Sequence, residues 1–172
     1  ACGEPGEDAA LYDTVAAVAM ELCPALGIGV PVGKDSLSMR TTWTDAAGAA
    51  RKVVAPVSLV VTAFATVDDV RGTLTPQLRD GSVLVLIDLG AGRDRLGGSV
   101  FAQVAGGFGG AVPDLDDPTR LVALVGAVNA LRDKGIVTAY HDRSDGGLWA
   151  AACELTFAGG VGVRVNVALE TP

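Results

Sequence analysis

From residue 82 onward the chain alternates between two hydrophobic rhythms, and no other feature narrows its possible folds as far. Residues 82–89 are a near-continuous run of Val, Leu and Ile, the pattern of a strand buried on both faces. Residues 118–134 then repeat at helical spacing. Pro118 suits a first helical position, Leu121, Leu124, Val128 and Leu131 share a face, and Gly135 supplies a stop. Residues 136–140 read as another strand and 146–157 as another helix. Val161, Val163, Val165 and Val167 alternate with Gly162, Arg164, Asn166 and Ala168, as in a half-exposed strand. Strands that alternate with helices predict an α/β layer arrangement.

The earlier part is mixed, closer to α+β. Residues 7–26 predict an amphipathic helix with Leu11, Val15, Val18 and Leu22 on one face, Glu7 and Asp8 at its positive end, and Gly27 as its stop. A loop follows over 29–39. Residues 45–48 read as a hairpin tip and 53–65 as a Val-rich strand whose Pro56 keeps its start at an edge or bulge. Residues 71–81, with Gly, Thr, Pro and charges but no periodicity, read as a linker between two domains. Residues 90–110 are glycine-rich, and 114–117 form an acidic turn.

Composition excludes several classes. Hydrophobic residues make up 49% of the 172, enough for a core, but aromatics are only 5%, so Val, Leu and Ala must build it. The net charge of −7 and the scattered Lys and Arg leave no basic stripe, which sets nucleic acid aside as a partner. Cys2, Cys23 and Cys153 have no C-x-x-C spacing and His141 is the only histidine, so neither a zinc site nor a disulfide framework is expected. The pattern suits reduced thiols in a cytoplasmic protein. The apolar runs 57–67 and 121–131 are about half the length of a membrane span, so no membrane partner is expected. Ala1 in place of Met, and an end at Thr171 and Pro172 directly after a strand pattern, predict an internal piece of a longer chain.

Two segments carry chemistry. In Tyr140-His141-Asp142-Arg143-Ser144-Asp145-Gly146-Gly147-Leu148 a strand ends and a helix begins, with two carboxylates, a hydroxyl and two glycines within 142–147. Free N–H groups at a helix start suit an anion, and carboxylates just before it suit a hard cation bridged to phosphate. The competing reading is that Asp142 or Asp145 caps the helix and the glycines make a tight turn. In Pro31-Val32-Gly33-Lys34-Asp35-Ser36 a lysine beside small residues could meet a phosphate, or could form a Lys–Asp surface turn; the spacing of a P-loop is absent. Glycines 97 and 98 need only permit close packing. His141 reads as a hydrogen-bonded structural residue rather than a general base, Glu154 as solvated or capping, and Trp43 and Trp149 as packing residues.

Taken in order, ACGEPGEDAALYD, ELCPALG, PVGKDSLSM, LTPQL, AYHDRSDGGL and ELTFAG resemble the large, single-chain phosphoribosylformylglycinamidine synthases over nearly the whole chain. DRSDGG alone would indicate only the wider superfamily around aminoimidazole ribonucleotide synthetase. The PVGKDS segment argues against a selenophosphate synthetase or a small-molecule kinase. The resemblance implies the later part of the second of two pseudo-symmetric synthetase halves. Residues 1–76 would end the N-terminal-type domain and 77–172 would begin the C-terminal-type α/β domain.

It also implies the chemistry. ATP activates the amide oxygen of formylglycinamide ribonucleotide as an iminophosphate, and ammonia from glutamine displaces phosphate. The products are formylglycinamidine ribonucleotide, ADP, phosphate and glutamate. By motif position, Asp142 resembles a magnesium (Mg2+) ligand and Ser144 a nucleotide contact. Lys34, Asp35 and Ser36 resemble residues near the nucleotide cleft, with Asp145 and Gly146 supporting the loop. The remainder of the parent chain, including a glutaminase with its cysteine nucleophile, would be the partner. An alternative within the same resemblance is a non-catalytic half that holds its nucleotide as a structural brace.

Overall fold

The structure, a computed structural model, describes residues 1–166. They form an α+β arrangement in two compact units, Ala1–Thr66 and a second that begins at Val67.

In the first unit, α1 (Glu7–Val15) starts at Gly6, whose φ of 83° places it in the left-handed region, and carries Glu7 and Asp8 in its first turn. The Asp8 carboxylate accepts from the Gly3 N–H at 3.0 Å and ties down the entry loop. The rod continues as a π-helical segment, Ala16–Leu22, and a short α2, Cys23–Ala25. Just before the π-helical segment the Thr14 hydroxyl donates to the Ala10 carbonyl at 2.7 Å, the back-bonding by which Thr bends helices. The sheltered stripe therefore runs through Leu11, Thr14, Val18 and Leu22, while Val15, expected on it, is 54% exposed.

Strands β1 (Arg40–Thr44) and β2 (Ala50–Val54) pair antiparallel, with Arg40 opposite Val54 and Thr44 opposite Ala50. Asp45 builds the connecting turn. One carboxylate oxygen accepts from the Ala47 and Ala49 N–H groups at 3.0 and 2.9 Å, and the other accepts from Arg51 Nε at 2.7 Å. These donors, the Ala49 N–H foremost, hold the Asp45 carboxyl below the usual carboxylate range. Gly48 takes the left-handed φ of 79° that the turn requires. On one face of the hairpin Lys52 donates to both oxygens of Glu4, at 2.8 and 2.9 Å, with Arg40 3.6 Å away.

The second unit holds a 3-10 turn (Val70–Gly72), α3 (Val100–Val104), α4 (Pro118–Asp133) and α5 (Gly147–Gly159). Asp117 caps α4 by accepting from the Thr119 N–H and hydroxyl at 3.0 and 2.6 Å, and Pro118 occupies the first turn. Leu121, Leu124 and Val128 are half-buried along that helix. Ser99 caps α3 by accepting from the Ala102 N–H at 3.1 Å. Gly97 and Gly98 donate to the Ala111 and Phe108 carbonyls, and a side chain at Gly97 would collide with the Gly110 carbonyl. Gly97 thus serves close backbone approach, while Gly98 takes a left-handed φ of 71°. The acidic turn is held by Arg95, which donates to Asp116 and to the Asp114 carbonyl, and by Arg93. The buried apolar residues of this unit are Leu78, Ala102, Ala151 and Leu155.

Four expectations change. The strand expected over 53–65 is confined to Ala50–Val54, and Pro56 lies just beyond its end, where a residue without an N–H cannot extend a ladder. Residues 82–89 and 136–140 form no ladder among the described residues, so the α/β layering expected after residue 82 is not formed there. Such runs need a layer on each face, whereas Val83 and Val85 are 86% and 79% exposed. Residues 161–166 also form no ladder, and Val167, the last Val of that alternation, lies outside the described residues. Trp149, expected in packing, points away from the α5 face that buries Ala151 and Leu155. Among the described residues no helix is long and apolar enough to cross a membrane.

Candidate functional site

The loop 141–146 is pinned on both sides. Before it, the Tyr140 N–H donates to the Thr75 carbonyl at 3.0 Å. After it, the Gly147 N–H donates to the Ser144 carbonyl at 3.0 Å and closes the turn into α5. Gly146 and Gly147 both have positive φ, 84° and 62°. A methyl at Gly146 would also sit 2.5 Å from the Ala150 Cβ, so glycine is required there by conformation and by space.

Gly146 is the N-cap of α5 and no side chain accepts from the helix start. Neither Asp142 nor Asp145 caps the helix, whereas the tight turn at Gly146 and Gly147 is formed as the structural reading expects. Both carboxylates remain exposed, as does Ser144. The turn therefore presents an acid, a hydroxyl and the positive end of a helix dipole on one short loop.

Two neighbours brace the loop. His141 Nε2 lies 2.7 Å from Glu154 Oε2 on α5, and His141 Nδ1 lies 3.5 Å from Asp142 Oδ1. Arg143 reaches Asp88 at 3.5 Å. Asp88 in turn accepts from the Gly90 and Gly92 N–H groups at 2.9 and 2.7 Å. The Gly92 and Gly90 N–H groups, then the Arg143 and Arg95 charges, hold the Asp88 carboxyl below the usual range. His141 is hydrogen-bonded as expected. Glu154 meets His141 while its side chain stays 57% exposed, and no spacing signal in the sequence joins it to a residue on the preceding loop.

Lys34, Asp35 and Ser36 belong to the first unit and form a cluster of their own. The Lys34 ammonium donates to the Asp35 carbonyl at 2.5 Å and to the Ser36 hydroxyl at 2.8 Å. It folds onto its own exposed loop, the geometry of a surface turn. The structure thus brings Lys34 and Ser36 into contact, while Asp142 and Ser144 share one exposed loop without a contact to each other among the hydrogen bonds of the described residues. Two concavities of about 300 and 500 Å³ in the second unit are lined by parts of 67–79 with α4, α5, Thr138 and Tyr140, and by none of these five residues. Burial, followed by the adjacent Asp8, pushes the Cys2 thiol up, the opposite of what an activated nucleophile needs.

The fit to a magnesium ion is limited. Among the described residues no three His, Cys, Asp or Glu side chains converge as a cation site. The side chain of Asp142 is 70% exposed, with His141 Nδ1 3.5 Å from its Oδ1. Such a carboxylate cannot form a protein cage. It suits an ion whose other ligands are water and phosphate, the way Mg2+ is ordinarily held.

Residues 1–66 match the family model of the FGAR-AT PurM_N-like domain. Residues 79–172, more than half of the chain, match that of the AIR synthase related protein, C-terminal domain. The chain belongs to the AIR synthase related family. Membership gives it a purine-pathway, synthetase-like function. The two matched regions stand in tandem in the sequence, with 67–78 covered by neither model. No solved structure matches the chain.

Proposed function

We propose that this chain is part of an ATP-dependent amidotransferase, the large single-chain phosphoribosylformylglycinamidine synthase, in its second synthetase half. The reaction converts formylglycinamide ribonucleotide, glutamine and ATP to formylglycinamidine ribonucleotide, glutamate, ADP and phosphate. The observation that carries this reading is the tandem of an FGAR-AT-type region and an AIR synthase C-terminal region, with HDRSDGG at an uncapped helix start in the second. In this role Asp142 would hold Mg2+ and Ser144 would contact the nucleotide. The ion supplies charge neutralisation to the phosphates when bound. By the resemblance of PVGKDS, Lys34, Asp35 and Ser36 would be nucleotide contacts as well. The boundary between the two synthetase-type domains, 1–76 and 77–172, falls where LTPQL stands. Ammonia would come from a glutaminase part in the remainder of the parent chain, as the family resemblance implies.

The test is Asp142→Asn in the full-length protein, with amidine formation measured against Mg2+ and ATP. A loss of about 10- to 100-fold in activity with an unchanged Tm supports the catalytic role. A lower Tm with ordinary kinetics instead makes the bound nucleotide a structural brace. Failure of the wild-type protein to form the amidine rejects the assigned reaction.

A further inference from the structure

We propose that the second unit carries a site for a small aromatic carboxylate, apart from the 141–146 loop. The cavity of about 300 Å³ lies between residues 67–74 and the last two turns of α4, beside Tyr140. Ligand cavities span roughly 300–1,000 Å³, so this one suits a single substituted ring rather than a whole nucleotide. Its walls are largely apolar. Leu74 and Val128 are half-buried, while Val67 and Tyr140 are 63% and 42% exposed. A flat ring would cover that surface and stack on or against the edge of the Tyr140 ring. The polar groups choose its substituent. Asp69 lines the cavity, but both its oxygens accept from the Arg71 guanidinium, at 2.8 and 2.7 Å, and its charge is offset there. Arg132 gives its Nε and one Nη to Asp133, at 3.2 and 2.9 Å. Its other Nη, the Asn129 amide and the Tyr140 hydroxyl have no hydrogen-bond partner among the described residues. A ligand that ends in a carboxylate gives those donors an acceptor and gives Arg132 a charged one, the stronger kind of hydrogen bond. A cation would meet no free carboxylate in this lining. One wall comes from residues 67–74, inside the stretch that neither family model covers. The proposal is independent of any nucleotide at the loop.

The experiment titrates the full-length protein with benzoate, and with benzamide as an uncharged counterpart of the same shape, by calorimetry. Benzoate should bind saturably and about tenfold more tightly than benzamide, the difference expected of a hydrogen bond to a charged group. Arg132→Met keeps an apolar stem and removes the charge. It should lower benzoate affinity by about tenfold and leave benzamide affinity unchanged. Val128→Phe fills the cavity from α4 and should abolish binding of both compounds. Where Val128→Phe fails to fold, Arg132→Met decides alone, since the Arg132 side chain is 39% exposed and its loss leaves no buried gap. Absence of saturable benzoate binding to the wild-type protein overturns the proposal. So does unchanged benzoate affinity in Arg132→Met, which would place the compound elsewhere on the protein. Benzamide binding as tightly as benzoate overturns the choice of a carboxylate and the proposal with it.

Discussion

Gly159 and Leu78 are in backbone contact: a methyl group at residue 159 would lie 2.6 Å from the Leu78 carbonyl oxygen and 2.8 Å from its amide nitrogen. Leu78 is one of the few buried residues of the second unit, so this contact fixes the 73–79 segment against α5. Gly159→Ala should destabilise the protein by roughly 1–3 kcal/mol, because backbone must move to admit the side chain. Gly126, inside α4 with open space around it, is the control. Gly126→Ala should stabilise by about 0.5–1 kcal/mol through helix propensity. Urea unfolding of the two variants checks the opposite signs.

Gly146→Ala should disturb the start of α5. The substitution forces a side chain into a φ of 84° and against the Ala150 Cβ. The expected cost is about 1–3 kcal/mol, and the shifted turn should weaken nucleotide binding as well. Chemical denaturation and ADP titration of the same variant measure both effects. Full stability with full affinity would contradict the geometry.

The acid limb of stability should depend on Asp45. Its folded carboxyl is held below the ordinary range by the Ala49 N–H, Arg51 and the Ala47 N–H. Because the folded pKa is depressed, the unfolded chain takes up the proton first. The contribution is therefore present above about pH 4, the ordinary aspartate value, and is lost as pH falls through the lower folded value. Glu4, Asp69, Asp88 and Asp117 are shifted in the same direction. Tm followed from about pH 6 down to about pH 2 should fall through this window. Asp45→Asn should show the shallower fall.

Asp88→Ala should lower Tm more than Arg143→Ala. The ion pair itself spans 3.5 Å and Arg143 is exposed, so Arg143→Ala should stay within about 0.5 kcal/mol of wild type. Asp88→Ala also removes the acceptor for the Gly90 and Gly92 N–H groups and frees the turn after residue 89. Thermal melts of the two variants, with hydrogen exchange over 88–93, separate the effects.

Local features were legible in the sequence because local physics determines them. Asp117 and Pro118 announce the start of α4, Gly135 follows it with a φ of 68°, and Asp45 with Gly48 marks the hairpin turn. The π-helical segment after Thr14 was not legible, since helical periodicity assumes a constant number of residues per turn. The apolar run 82–89 states that its side chains avoid water but not which strand pairs with it. In the candidate site, the crowding of Asp142, Ser144 and Gly146 was visible as a motif. Glu154 was not, because its contact with His141 depends on how the loop lies along α5, and spacing carries no record of that.

The π-helical segment Ala16–Leu22 has a consequence for chain length. A turn closed by i→i−5 bonding encloses one residue more than an α turn, so the segment is equivalent to a one-residue insertion accommodated without a loop. Deleting a single residue there would let the rod run as continuous α-helix and change which residue, Thr14 or Val15, lies on the sheltered stripe. In this helix a length change of one residue acts as a rotation of everything before it, which makes the rod a place where insertions and deletions are read as changes of face.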